Sequence, residues 1–176
     1  MKLIVMGVSG CGKSVLGARI AAALGVPLIE GDDHHLPASR VKMERGIALE
    51  DRDREPWLDR LGELLVQQRG DAVLTCSALK RRYRDRLRAR VPGLRFVYLE
   101  IDRAAAEARV RARTDHLFPA TLVASQFEAL ESPLGEDGVF AVPAVEPTGA
   151  QVQAVLEWLE RTAASGGAGV APLRST

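Results

Sequence analysis

Eight residues, Gly7-Val8-Ser9-Gly10-Cys11-Gly12-Lys13-Ser14, restrict this chain more than any other feature. They fit the pattern G-x-x-x-x-G-K-[ST] in full. The flanks fit too: residues 2–6 are an apolar run suited to a buried strand, and from Ser14 apolar residues recur with helical spacing. Strand, glycine loop and helix in that order turn backbone N–H groups inward onto phosphate oxygens, with no Cβ in the way. The helix N-terminus adds partial positive charge. In this pattern Lys13 reaches the β- and γ-phosphates and the Ser14 hydroxyl ligates Mg²⁺. The candidate nucleotide-binding set is Gly7, Ser9, Gly10, Cys11, Gly12, Lys13, Ser14 and Val15. Cys11 reads as a small loop residue, since no base stands beside it in the sequence.

The remaining chain alternates between short apolar runs and helical patterns. Strands are expected at 26–32, 71–76, 94–101 and 138–144, and a last helix over 149–162. On the first helix Leu16, Ile20, Ala23 and Leu24 share a face, and Gly25 ends it. Residues 33–52 are polar and irregular, with a short helix near 41–45. The next helix has Pro56 in its first turn and turns Trp57, Leu58, Leu61, Leu64 and Leu65 to the core. Helices at 103–113 and about 120–131 flank a break at 114–119. This alternation predicts an α/β fold, a parallel five-stranded sheet of the P-loop NTPase type flanked by helices, with a mobile helical lid at about 110–130. Ligands of such sheets lie beyond the carboxyl ends of the strands. The Gly7 loop, Asp32, residues 76–80 and the segment after Glu100 all fall there. With 176 residues, a single domain over 1–163 and a loose small-residue tail over 164–176 are expected.

Composition removes several functions. The formal charge is +1, so no bulk attraction to polyanions follows. No apolar run is long enough for a membrane span, and 2–6 is too short for a signal peptide. Cys11 and Cys76 are far apart and match no metal spacing, which fits a reduced, cytoplasmic protein. The basic run over 80–90 has Leu79, Tyr83 and Leu87 on one face. It reads as a helix whose basic residues sit in solvent rather than as a nucleic-acid patch. A guanine-reading N-K-x-D is absent, and the chain is short for a motor or transporter ATPase. A small-molecule kinase is the expectation.

Phosphoryl transfer needs a positioned hydroxyl, a metal and charge neutralisation. Asp32, at the end of the second strand and next to the first strand's loop, is placed to take the hydroxyl proton or hold the metal through water. His34 and His35 are adjacent and so poorly placed to share one ion; a substrate hydrogen bond suits one of them better. Arg54 lies at a helix start, where the dipole disfavours a cation. It calls for an anion, either Asp51 or Asp53 nearby or an acidic substrate. Lys80 follows the third strand on the ligand edge, and with Arg54 it points to an acceptor that carries a carboxylate. Arg109 and Arg113 share a helix face before the 114–119 break, where they could swing over the phosphates.

Six collinear stretches within residues 3–145 resemble the small P-loop gluconate kinases, relatives of shikimate kinase and the nucleoside monophosphate kinases. They are MGVSGCGKS, EGDDHH, KMERGIALEDRDREPWL, CSALKRRYRDRLR, FVYLEID and ARTDHLFPATLVASQFEALESP. The resemblance implies ATP- and Mg²⁺-dependent phosphorylation of D-gluconate at its 6-hydroxyl, and often a homodimer. By position it implies that Gly10, Gly12, Lys13 and Ser14 hold phosphate and that Asp32 lies near the transferred group. It puts His35, Arg54, Lys80, His116 and Gln126 around the sugar acid, and Arg109 and Arg113 near the nucleotide. Ser39, Asp115 and Leu117 depart from the family's usual Asn, Gly and aromatic residue. Rival readings are a kinase of another hydroxy acid such as shikimate, and a nucleotide-binding regulator without catalysis.

Overall fold

The computed structural model describes residues 1–112 and 121–166. Five strands, β1 (Lys2–Met6), β2 (Leu28–Glu30), β3 (Ala72–Thr75), β4 (Arg95–Glu100) and β5 (Val139–Pro143), pair in parallel in the order β2-β3-β1-β4-β5. The helices are α1 (Lys13–Leu24), α2 (Pro37–Glu44), α3 (Asp51–Gln67), α4 (Arg81–Arg90), α5 (Arg103–Arg111), α6 (Thr121–Ala129) and α7 (Thr148–Gly166). The predicted α/β sheet is thus present. Parallel strands need crossovers, and the helices supply them while covering both faces.

Strand alternation divides the core. Leu3 and Val5 of β1 pack with Leu16 and Ile20 of α1, Val110 of α5, Val123 of α6 and Val155 of α7. Ile4 and Met6, pointing the other way, pack with Trp57, Leu58, Leu61 and Leu65 of α3 and Leu87 of α4. On α1 the buried residues are Leu16, Gly17, Ile20 and Ala21, whereas Ala23 is exposed, so the core face is rotated from the expected one.

Several boundaries differ from expectation for local reasons. The second strand stops at Glu30, and Gly31–His34 coil into a 3₁₀ turn. A Cβ at Gly31 would lie 2.1 Å from the Thr75 carbonyl oxygen, so only glycine lets the chain pass β3 this closely. α3 starts at Asp51, which puts Pro56 in its second turn rather than its first. The cause is a capping box: Glu50 and Asp53 each accept the other's backbone N–H. The polar stretch before it holds α2, longer than the expected short helix and begun by Pro37 at its first turn. β3 separates β2 from β1, so Asp32 does not neighbour the first strand's loop through the sheet as expected. α7 runs past residue 162 to Gly166, while residues 167–176 lie outside the described residues.

The basic run on α4 is only in part a solvated face: Arg81, Arg82 and Arg90 are exposed, but Arg84 is not. Arg84 is fully buried. Its Nη1 donates to the carbonyls of Ala78 and Leu79 at 2.9 Å, its Nη2 to Glu131 O at 3.1 Å, and its Nε to the Glu136 carboxylate at 3.0 Å. Ala78 sits at φ +43°, rare for a residue with a Cβ, and this guanidinium holds its carbonyl in place. Arg86 pairs with Asp59 at 2.7 Å and Arg88 with Glu136 at 2.8 Å. Helix periodicity places the apolar residues inside, but it does not reveal that carboxylates and carbonyls elsewhere in the chain await the arginines.

Candidate active site

The loop between β1 and α1 is built from backbone conformations that need glycine. Gly10 has φ +85°, and a Cβ there would meet the Ala106 carbonyl oxygen at 2.7 Å. This tight fit brings α5 against the loop. From α5, Arg109 donates to Cys11 O at 3.3 Å and to Ala144 O at 2.8 Å. With Gly10, Cys11, Gly12, Val15, Pro147 and Gln151 it lines one cavity. Cys11 is buried, and burial pushes its thiol pKa up, as it pushes that of Cys76 up to about 12. Neither is a thiolate at neutral pH.

A second cavity opens on the other side of the loop. Ser9, Lys13, Asp32, His35, Arg54 and Gln126 are among its lining residues. Four segments, remote in sequence, thus converge: the loop, the 3₁₀ turn after β2, the first turns of α3, and α6. Lys13 Nζ donates to Val8 O at 3.1 Å, and Gln126 Oε1 accepts from Ser9 N–H at 2.6 Å.

Arg54 answers the question left by its position at a helix start. Asp53 is taken by Lys42 at 2.7 Å, and Asp51 by Lys80 at 2.9 Å, Arg82 and Tyr83. Among the described residues Arg54 has no ion pair, and it lines the cavity. Lys80, by contrast, is held by Asp51 and is absent from the cavity lining. Of the two expected carboxylate readers, Arg54 is thus the one that lines the cavity without an ion pair among the described residues. Arg113 and His116 lie outside the described residues.

His35 is buried, and its ring stacks on the Trp57 indole at 4.1 Å between centroids. Its Nε2 is 3.8 Å from Asp32 Oδ1, and its Nδ1 is buried without a hydrogen-bond partner. Burial lowers its pKa from 6.5 to about 4; the Asp32 carboxylate opposes this, while Arg54 and Arg40 reinforce it. His35 is thus neutral at pH 7, and its buried Nδ1 is unpaired. Between the two pKa values the unfolded chain binds the extra proton. The stability contributed by His35 is therefore complete above the unfolded value and is lost as pH falls toward 4, by about 3 kcal/mol. Denaturant titrations from pH 7 to 4.5 should show this fall, and His35→Gln should flatten it. An equal fall in the variant would assign the loss to other groups.

Three residues carry roles that sequence reasoning did not single out. Glu30 accepts from Ser14 Oγ at 3.1 Å and from Thr75 Oγ1. It stands at the carboxyl end of β2, and the ligand-edge rule that selected Asp32 could have found it. Trp57, read as core, donates Nε1–H to Gly31 O at 2.8 Å besides stacking on His35. Arg40 donates to the carbonyls of Asp32 at 3.2 Å and Asp33 at 2.8 Å, securing the 3₁₀ turn. The Ser14–Glu30 pair fits a nucleotide-bound Mg²⁺, which keeps water and phosphate oxygens and takes few protein ligands. Among the described residues no cluster of three His, Cys, Asp or Glu suggests an all-protein metal cage.

Comparison with known proteins agrees with the fold and gives the chain's relatives. Residues 3–134 match the family model described as AAA domain. The thermosensitive gluconokinase of Escherichia coli K12 is 44% identical over 138 residues, covering 76% of this chain and 73% of that protein. The thermoresistant gluconokinase of the same organism is 37% identical over 162 residues, covering 90% of this chain and 93% of that protein. The crystal structure of a gluconokinase from Sinorhizobium meliloti 1021 superposes with a TM-score of 0.86 at 45% identity, covering 93% and 94% of the two chains. A shikimate kinase from Aquifex aeolicus, at TM-score 0.65 and 18% identity, shares the fold alone. By these relationships and its phosphate loop, the chain belongs to the gluconokinase family.

Proposed function

We propose that this chain transfers the γ-phosphoryl group of ATP to the 6-hydroxyl of D-gluconate, yielding 6-phospho-D-gluconate and ADP. The supporting observation is the cavity in which Ser9 and Lys13 of the phosphate loop meet Asp32, His35 and Arg54, in a member of the gluconokinase family. The loop and the Arg109–Pro147 cavity hold the nucleotide. Gluconate lies in the Asp32 cavity with its carboxylate on Arg54 and its terminal hydroxyl at Asp32. Asp32 accepts the hydroxyl proton as the O6–Pγ bond forms and the bond from Pγ to the bridging oxygen breaks. Lys13 offsets charge on the moving group. His35, neutral, offers a ring nitrogen to a substrate hydroxyl. Ser14 and Glu30, with Asp32 through water, would hold Mg²⁺, which would supply neutralisation of phosphate charge. Arg113 and His116 keep the roles that the family pattern implies.

The experiment that tests this reading compares D-gluconate with D-glucitol, which has the same row of hydroxyls but no carboxylate. The wild-type chain should phosphorylate gluconate strongly and glucitol poorly. Arg54→Met should lower kcat/KM for gluconate by roughly 10²-fold, the loss expected for a desolvated charge pair, and leave glucitol nearly unchanged. Equal use of both compounds by the wild type would remove the carboxylate from the account.

A further inference from the structure

The two cavities divide the phosphate loop by residue. Gly10, Cys11 and Gly12 line the side shared with Arg109 and Pro147, whereas Ser9 and Lys13 line the side shared with Asp32 and Arg54. A nucleotide whose base lies toward Arg109 and Pro147 therefore brings its last phosphate to Ser9 and Lys13. The backbone N–H at that end is already engaged. Ser9 N–H donates to Gln126 Oε1 at 2.6 Å, a contact spanning 117 residues of sequence. Gln126 is 7% exposed. It comes from α6, whose Leu122 and Ser125 line the same cavity. A backbone N–H requires an oxygen, so the amide orientation follows: Oε1 on the loop, with Nε2 left for other partners.

A neutral amide oxygen on this donor stands where a phosphate oxygen would bind. The phosphate oxygen is charged and is the stronger acceptor. A triphosphate has an oxygen to place there, while a diphosphate ends one group short. We propose that Gln126 is a positioning residue with two alternate partners: it holds Ser9 N–H until the terminal phosphate of a nucleoside triphosphate takes that donor, and then turns its amide to the hydroxyls of the acceptor. The released amide is buried, and leaving it unpaired is costly. An acceptor hydroxyl removes that cost, so triphosphate and acceptor strengthen each other's binding, by the same factor in both directions. The acceptor half rests on the sugar-acid kinase reading; the nucleotide half rests on the loop alone.

Calorimetric titration of the full chain tests both halves, with Mg²⁺ and either the non-hydrolysable β,γ-imido analogue of ATP or ADP, each with and without D-gluconate. In the wild type the analogue should tighten gluconate binding by about 5-fold or more, and ADP should not. Gln126→Ala has no bond to displace. Without gluconate it should bind the analogue about 3- to 10-fold tighter with ADP within about 2-fold, and its coupling to gluconate should fall below about 2-fold. Gln126→Glu has the same size but holds the N–H with a charge that repels phosphate. It should bind the analogue at least about 10-fold more weakly, with a much smaller change for ADP. Parallel shifts of analogue and ADP in both variants would reduce Gln126 to a structural contact and overturn the proposal. So would undiminished coupling in Gln126→Ala. Should gluconate bind to none of these proteins, the sugar-acid reading fails, and the analogue-against-ADP difference still upholds or overturns the nucleotide half.

Discussion

Replacing Lys13 with alanine should lower kcat by about 10³-fold or more while the protein stays folded. The magnitude follows from the role proposed for the ammonium, which lines the cavity and would offset charge on the transferring group. The intact fold follows from how little else Lys13 supports. It is half-buried, its ammonium donates a hydrogen bond to Val8 O at 3.1 Å, and α1 is held to the sheet by Leu16, Gly17, Ile20 and Ala21. Steady-state kinetics beside a thermal unfolding curve separates the two effects. Near-normal turnover in Lys13→Ala would mean that the loop does not hold the reacting phosphates.

Asp32→Asn acts on the other reactant. Asparagine keeps the shape but cannot take the hydroxyl proton, so kcat should fall by about 10²- to 10⁴-fold. ATP affinity should change by no more than a few-fold, because Asp32 belongs to the 3₁₀ turn after β2 and not to the phosphate loop. The Asp32 side chain is 69% exposed, and the 3₁₀ turn that carries it is held by backbone contacts to Arg40 and Trp57. Stability should therefore be little altered. A variant that loses ATP affinity with unchanged kcat would make Asp32 a nucleotide contact.

The nucleotide half of the site is more legible in sequence than the acceptor half. The phosphate loop is local: eight consecutive residues carry the glycines, the lysine and the hydroxyl, and the flanking periodicities supply strand and helix. The parallel sheet follows from the alternation of strands and helices, but its strand order does not: β3 lies between β2 and β1. What escapes is whatever depends on partners far along the chain. Arg84 resembles its basic neighbours in the sequence, yet it alone among the basic residues of α4 is fully buried, because four carbonyl and carboxylate partners surround it. Arg54 and Lys80 read alike as cations on the ligand edge, and only the ion pairs of Asp51 and Asp53 distinguish the open cation from the neutralised one. Trp57 fits a core helix by period, but its indole also fixes His35 and the Gly31 carbonyl. In each case the chemistry of one side chain was visible and the identity of its partner was not.

The central claim is that the phosphate loop and the Asp32 cavity serve one reaction with a sugar acid as acceptor. The measurement that meets it most directly is ADP release from Mg·ATP with D-gluconate, other aldonic acids, shikimate, or water alone. Strong release with gluconate, weak release with the other acids and almost none with water are expected. ATP binding with no dependence of ADP release on any acceptor would contradict it, and would leave a nucleotide-binding protein that is not a kinase of this class.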